Sequence, residues 1–303
     1  MRFSVWPHLS QPWDDVLDVV QHAEATGWDG VWVADHFMGD GTAYGAVDTP
    51  MLEATAALGG LAAATDRVRL GSLVFGTTYR HPAVLANWAA SIDRMSNGRL
   101  VLGVGAGWQT NEHDQYGIEL PPVRERVDRF AETCEVLRGL LRDERTTFDG
   151  RWFHLTDALC EPKPVQSPLP LLVGGKGDRM LGITARFGDE WNMWSMPDVF
   201  AERSEALDRR CEQVGRDPRE IQRSTQALIV ITDDLEAARR FVEQAAPRAA
   251  VAGPTSALAE AVAGWRDAGV DEVIIPDFLF GRGAQRRDTL DAIITEVAPA
   301  FRT

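Results

Sequence analysis

Short apolar runs alternate with longer stretches of helical periodicity along almost the whole chain, and this alternation limits the folds open to it. Residues 2–6, 30–34, 68–74 and 100–104 read as strands, with helices over 13–26, 52–65, about 82–95 and about 123–141. In the first helix Val16, Leu17, Val20 and Ala23 share a face and Gly27 closes it, while Pro82 suits a first helical turn. Residues 147–155 read as a small hairpin around Asp149-Gly150, and 161–170 as a proline-rich connector too short for a domain linker. Strands resume at 171–173, 190–193, 226–231 and 272–275, with helices over 179–187, 201–214, 235–244, 256–268 and 284–300. Near-continuously apolar strands are the mark of a parallel sheet covered on both faces. Eight such units predict an α/β chain folded as a (β/α)8 TIM barrel, one domain over 1–303, with an insertion after strand 4 or 5. An open doubly wound sheet would place its glycine-rich turn after an early strand, whereas here such turns follow the fourth and fifth.

The composition narrows the partners. Of 303 residues 45% are hydrophobic, enough for a large core, and the formal net charge is −14. Such acidity argues against nucleic acid and anionic membranes, which are gripped by basic patches, and serves solubility. Cys134, Cys160 and Cys211 are odd in number and widely spaced, with no pattern for zinc or a disulfide framework, and no metal site is expected. No run approaches the ~20 apolar residues of a membrane span. These features fit a cytoplasmic protein without an export signal.

Barrel chemistry gathers at the carboxyl ends of the strands. After the second strand come Asp35 and His36, an acceptor for a bound heterocycle and a proton carrier near neutral pH, or else a pair that only satisfies the loop. After the third come Gly76, Thr77, Thr78, Tyr79, Arg80 and His81, small enough for a ring to lie close to the backbone, or simply a turn and a helix start. After the fourth, Gly103, Gly105 and Gly107 permit close approach, and Trp108 can wall a pocket. After the fifth, Gly174-Gly175-Lys176-Gly177 runs into a helix and reads as a phosphate cradle, without the pattern of an ATP-hydrolysing loop. Trp6, Trp32, Trp108, Trp191 and Trp194 lie in or just beyond strands; most serve the core, and Trp6, Trp108 and Trp194 are candidates for a substrate pocket.

Taken together, these segments resemble the bacterial-luciferase-like superfamily, and especially its F420-dependent oxidoreductases. The blocks are AEATGWDGVWVADHF, residues 70–118 from LGSLVFGTTYRHP to NEHDQYGI, LLVGGKGDRMLGITARFGDEWN and AGVDEVIIPDF. The resemblance implies a homodimer that binds a deazaflavin, or FMN in an alternative reading as an oxygen-using monooxygenase, and acts on a small organic substrate. It implies that Asp35 and His36 stand near the ring, His36 moving a proton or stabilising an anion. It also implies a non-prolyl cis peptide near Leu73 and Val74, its bulge supporting the ring face with Thr77 nearby. Ala106, Gly107 and Asn111 would flank the cofactor tail, and Gly174, Gly175, Lys176 and Gly177 its phosphate. Sugar-phosphate dehydrogenases of the family carry an acidic glutamate where this chain has Trp108, which disfavours glucose 6-phosphate. Residues 38–50 read as a lid. A noncatalytic cofactor carrier is a third reading, against which the Asp35-His36 pair argues.

Overall fold

A computed structural model describes residues 1–42 and 45–302. The chain runs β1 (Arg2–Trp6), α1 (Trp13–Thr26), β2 (Gly30–Val33), α2 (Ala54–Ala64), β3 (Arg69–Ser72), β4 (Phe75–Gly76), α3 (Pro82–Met95), β5 (Leu100–Gly105), α4 (Thr110–Tyr116) and α5 (Val123–Arg142). It continues through β6 (Thr146–Asp149), β7 (His154–Ala158), β8 (Leu171–Gly174), α6 (Asp178–Phe187), β9 (Glu190–Trp194), α7 (Pro197–Gln213) and β10 (Gln222–Gln226). It ends with β11 (Leu228–Ile231), α8 (Leu235–Ala245), β12 (Ala250–Gly253), α9 (Thr255–Asp267), β13 (Glu272–Pro276) and α10 (Ala284–Ala292).

The parallel ladder β1-β2-β3-β5-β8-β9-β10-β13 returns to β1, so the sheet closes on itself as a barrel of eight strand positions. The third position is shared by β3 and β4, both paired with β5 and separated by a cis peptide between Leu73 and Val74. The antiparallel hairpin β6–β7 falls between β5 and β8, which puts the insertion after the fourth barrel strand.

Local chemistry explains the helix ends. Gly27 takes the left-handed conformation at φ +92° that closes α1. Pro82 opens α3, and the His81 side chain accepts from the Ala83 N–H at 3.1 Å.

The seventh strand departs from expectation. Residues 226–231 look like it because they are apolar, yet the barrel uses the polar β10, and β11 leaves the ring to pair with β12. The hydroxyls of β10 are satisfied inside: Asn192 Nδ2 donates to Ser224 Oγ at 2.9 Å and Thr225 Oγ1 to the Met193 carbonyl at 2.9 Å. The last helix also stops short of 300, loosening at Ile293–Val297 into a wider turn.

A large apolar core lies between sheet and helices, and a smaller one, with Trp6, Trp32, Leu73, Val101, Leu172 and Ile274, fills the barrel. The Trp32 ring crosses Gly71 so closely that a Cβ there would stand 2.3 Å from it. At the amino end of the strands a charge network seals the barrel. Fully buried Glu272 accepts from Ser4 Oγ (2.6 Å), Trp32 Nε1 (2.8 Å), Arg2 Nε (3.0 Å) and Arg69 Nη1 (2.8 Å). With that end plugged, the opposite end carries the opening.

Candidate active site

At the carboxyl ends of the strands lies a cavity of about 410 Å³. Its central feature is the bulge at Leu73–Val74. A Cβ at Gly105 would meet Val74 Cγ2 at 2.7 Å, and one at Gly174 would meet both Val74 methyls at 2.9 and 3.0 Å. A Cβ at Gly103 would stand 1.9 Å from the Ser72 carbonyl oxygen. These glycines therefore seat the bulge, a constraint that reads in sequence as a ligand-cradling pattern. Gly103→Ala is expected to cost about 1–3 kcal/mol of stability by forcing backbone to move, measured as a lower urea midpoint with unchanged slope.

Asp35 and His36 both line the cavity but do different work. The Asp35 carboxylate is committed: it accepts from Arg80 Nη1 (2.6 Å) and Nη2 (2.9 Å) and from the Gly76 N–H (3.0 Å), tying β2 to the segment after the bulge. His36 places Nδ1 3.0 Å from Glu112 Oε1, and the other Glu112 oxygen accepts from the Phe37 N–H at 2.8 Å. Tyr79 donates its hydroxyl to Glu112 as well. Burial pushes the Glu112 carboxyl up, but these hydrogen bonds outweigh it and hold the group below the usual carboxylate range. An ionised carboxylate only accepts, so the His36 proton sits on Nδ1, and Nε2 is the acceptor of the neutral ring. Glu112 sits on α4, a short helix that the periodicity did not reveal. The available sequence signal was an acid four residues after Trp108, one helical turn on.

Trp6, Trp108 and Trp194 all line the cavity. Trp6 packs edge-on against Trp194 at 5.8 Å and against Phe278 at 5.1 Å, while Trp108, 54% exposed, stands edge-on to His36 at 5.4 Å. Trp191 turns outward into the core against Phe200 and donates to the Gly175 carbonyl at 2.7 Å.

The cavity is also lined by Gly174, Gly175 and Lys176 and by Arg126 of α5, a cation the sequence reading did not select. Gly177 caps α6 without a side-chain hydrogen bond, and a Cβ there would meet nothing within 4 Å. Gly177 and the first residues of α6 are exposed to solvent, and Gly177 is not among the residues that line the cavity, which reaches Lys176 just before it. Ala106 and Gly107 line the cavity. Thr77 lies behind it, its hydroxyl donating to the Gly105 carbonyl at 3.0 Å. Asn111 is turned to the 38–50 segment and donates to the Gly39 carbonyl at 2.9 Å. That segment is also held by Gln109 on the Met38 carbonyl (3.0 Å) and by Arg248 on Thr42 Oγ1 (3.1 Å); residues 43 and 44 of the expected lid lie outside the described residues.

The barrel is closed at one end and carries at the other a bulged third strand, a histidine–carboxylate pair and a glycine-rich turn ahead of α6. The chain belongs to the luciferase-like monooxygenase family, whose model matches residues 1–293. It is 30% identical to the F420-dependent glucose-6-phosphate dehydrogenase of Kineococcus radiotolerans, over 95% of this chain and 93% of that one. It is 33% identical to the pyrimidine monooxygenase RutA of Yersinia enterocolitica, over 55% of this chain and 46% of that one. In fold it is similar to an F420-dependent secondary alcohol dehydrogenase solved with an F420–acetone adduct (TM-score 0.86, 22% identity, 100% of this chain and 99% of that one). It is also similar to the monooxygenase RslO1 of Streptomyces bottropensis (TM-score 0.82, 20% identity, 100% of both chains).

Proposed function

We propose that the protein is an F420-dependent oxidoreductase that transfers hydride between the deazaflavin and a small organic substrate. The observation that carries this is the continuity of one cavity from His36, past the Leu73–Val74 bulge, to Lys176 just before α6. A planar ring fits against the bulge, and a phosphate fits the open N–H groups of α6 with Lys176 and Arg126 on either side. Gly174, Gly175 and Gly177 give that group access to the backbone, with Ala106 and Gly107 along the tail. F420 supplies the hydride chemistry when bound.

The chain's own residues place and shield the reaction. His36 Nε2 accepts a proton from a substrate hydroxyl or, when protonated, donates one to a carbonyl oxygen, while Glu112 stabilises the charge that forms on the ring. Trp6, Trp108 and Trp194 wall the substrate space with apolar surface and exclude water. An indole at Trp108 has no acidic proton, and among the described residues Lys176 and Arg126 are the only Lys or Arg lining this cavity. Both sit at the cofactor-phosphate end, so a neutral carbonyl, alcohol, activated alkene or nitroaromatic suits the substrate end better than a sugar phosphate.

The similarity to RutA favours FMN and oxygen as the second reading. Anaerobic oxidation of F420H2 with these substrate classes tests the first; clear preference for FMN in quenching titrations reverses the order. Replacing Lys176 or Arg126 by alanine is expected to weaken F420 binding about 10- to 100-fold, the size of a lost charge-assisted hydrogen bond. The salt dependence of binding should shrink with it, read by fluorescence titration at two ionic strengths. A cytoplasmic homodimer belongs to the same proposal. Three free, buried cysteines suit a reducing compartment, and the apolar groove at Trp13, Leu52, Ala56 and Gly60 suits burial in a dimer, a state that sedimentation measures.

A further inference from the structure

The wall that β9 and β10 give the main cavity carries two polar side chains whose hydrogen bonding is half used. Asn192 and Gln226 both line the cavity, with Trp6, Leu73 and Trp194, and are only 4% and 5% exposed. They stand on neighbouring strands, Asn192 beside Ser224 and Gln226 beside Trp194 in the parallel register. Asn192 Nδ2 uses both of its hydrogens, one toward Ser224 Oγ at 2.9 Å and one toward Gln226 Oε1 at 2.8 Å.

These bonds orient both amides and leave one end of each over. Among the described residues nothing donates to Asn192 Oδ1 and nothing accepts from Gln226 Nε2. Neither atom is closed off from solvent, and the cavity is the open space that both residues border. Thr225, one residue back on β10, shows the contrast: it is fully buried and its hydroxyl donates to the Met193 carbonyl at 2.9 Å. A largely buried polar atom without a partner carries a desolvation cost that a matching ligand removes. Because both side chains stand on barrel strands, the pair is held ready for that ligand.

We propose that Asn192 and Gln226 form a recognition pair for an uncharged amide edge, its carbonyl oxygen accepting from Gln226 Nε2 and its N–H donating to Asn192 Oδ1. The edge belongs either to an amide-bearing substrate or to the pyrimidinedione ring of the deazaflavin, and for that origin the proposal rests on the oxidoreductase reading. A carboxylate would meet Asn192 acceptor to acceptor, and an ammonium would meet Gln226 donor to donor. A ketone satisfies Gln226 but leaves Asn192 Oδ1 covered and unpaired. A hydroxyl offers a single oxygen to two atoms on separate amides, whereas an amide brings a separate atom to each.

The test is ligand-observed NMR on the full chain without cofactor, with 2-piperidone as the probe against N-methyl-2-piperidone, cyclohexanone and cyclohexanol. 2-Piperidone is expected to bind about tenfold more tightly than each of the others, as for one hydrogen bond to a buried, otherwise unpaired group. Gln226→Met should weaken 2-piperidone about tenfold, and Asn192→Leu, which keeps the Gln226 donor, should erase its advantage over the N-methyl compound. Circular dichroism checks that both variants fold. Equal binding of all the probes, or none, in the native protein overturns the proposal, as does an advantage untouched by both substitutions. Repeating the titration with F420 assigns the source. Displacement of 2-piperidone, with F420 held about tenfold more weakly by Gln226→Met, gives the edge to the cofactor. Retention of 2-piperidone, with F420 affinity unchanged in that variant, gives it to the substrate. Failure of F420 to bind would strike the oxidoreductase reading and leave the lactam preference standing, so the two failures are told apart.

Discussion

Replacing His36 by alanine is expected to lower kcat about 10²- to 10⁴-fold, the range for losing a positioned acid–base group, with F420 affinity changed only a few-fold. The expectation follows from the division of labour at the end of β2. Asp35 is used up in holding Arg80 and the Gly76 N–H, so its neighbour is the group that can exchange a proton with a ligand. The Glu112 carboxylate keeps the His36 proton on Nδ1. Glu112→Gln keeps the shape but presents a neutral amide, and should lower kcat more than it changes KM while altering the pH profile of kcat. A purely structural Glu112 would lower stability and leave that profile in place. Turnover of a true substrate undiminished in His36→Ala would remove His36 from the chemistry.

Glu272→Ala is expected to cost about 3–5 kcal/mol of stability, the usual result of removing one partner from a buried ion pair. Two arginines, a serine and a tryptophan converge on this one carboxylate, and its loss leaves Arg2 and Arg69 to share Glu190. Burial pushes the Glu272 carboxyl up, but Arg69 and Arg2 with the hydrogen bonds from Ser4 and Trp32 bring it below the usual range. A folded-state pKa below the unfolded one means the group's contribution is complete above the unfolded value and is lost as pH falls through the folded value. Glu190, which burial pushes up, opposes this in part; Glu272, with four donors, sets the sign. Urea midpoints of the native protein should therefore fall on acidification through the carboxylate range, and those of Glu272→Gln should fall less.

The barrel was legible because its strands are apolar and its helices periodic, and β10 shows where that signal ends. Gln222–Gln226 is a barrel strand whose Ser224 and Gln226 accept from Asn192 of β9 and whose Thr225 donates to the Met193 carbonyl, a pairing that has no hydrophobic pattern. The apolar Leu228–Ile231 next to it looks more like a strand of the ring and instead pairs outside it. Much of the candidate site was readable as residue types just past each strand. What could not be read was which partner each one has. Asp35 and His36 are adjacent in sequence, yet one is bound to Arg80 and the other to Glu112, 76 positions away. Gly103, Gly105 and Gly174 signalled close approach correctly, but not that the approaching group is the chain's own third strand. Arg126 escaped notice because a single arginine on an amphipathic helix looks like any solvated charge.

The central claim is that one cavity holds a phosphate-bearing deazaflavin between His36 and the start of α6. A crystal structure of the protein with F420 tests it most directly. The account predicts the ring against the Leu73–Val74 bulge with His36 at its edge, and the phosphate on the backbone N–H groups following Gly177 with Lys176 and Arg126 beside it. Density for the ligand elsewhere, or a phosphate remote from α6 with the ring away from His36, would contradict it.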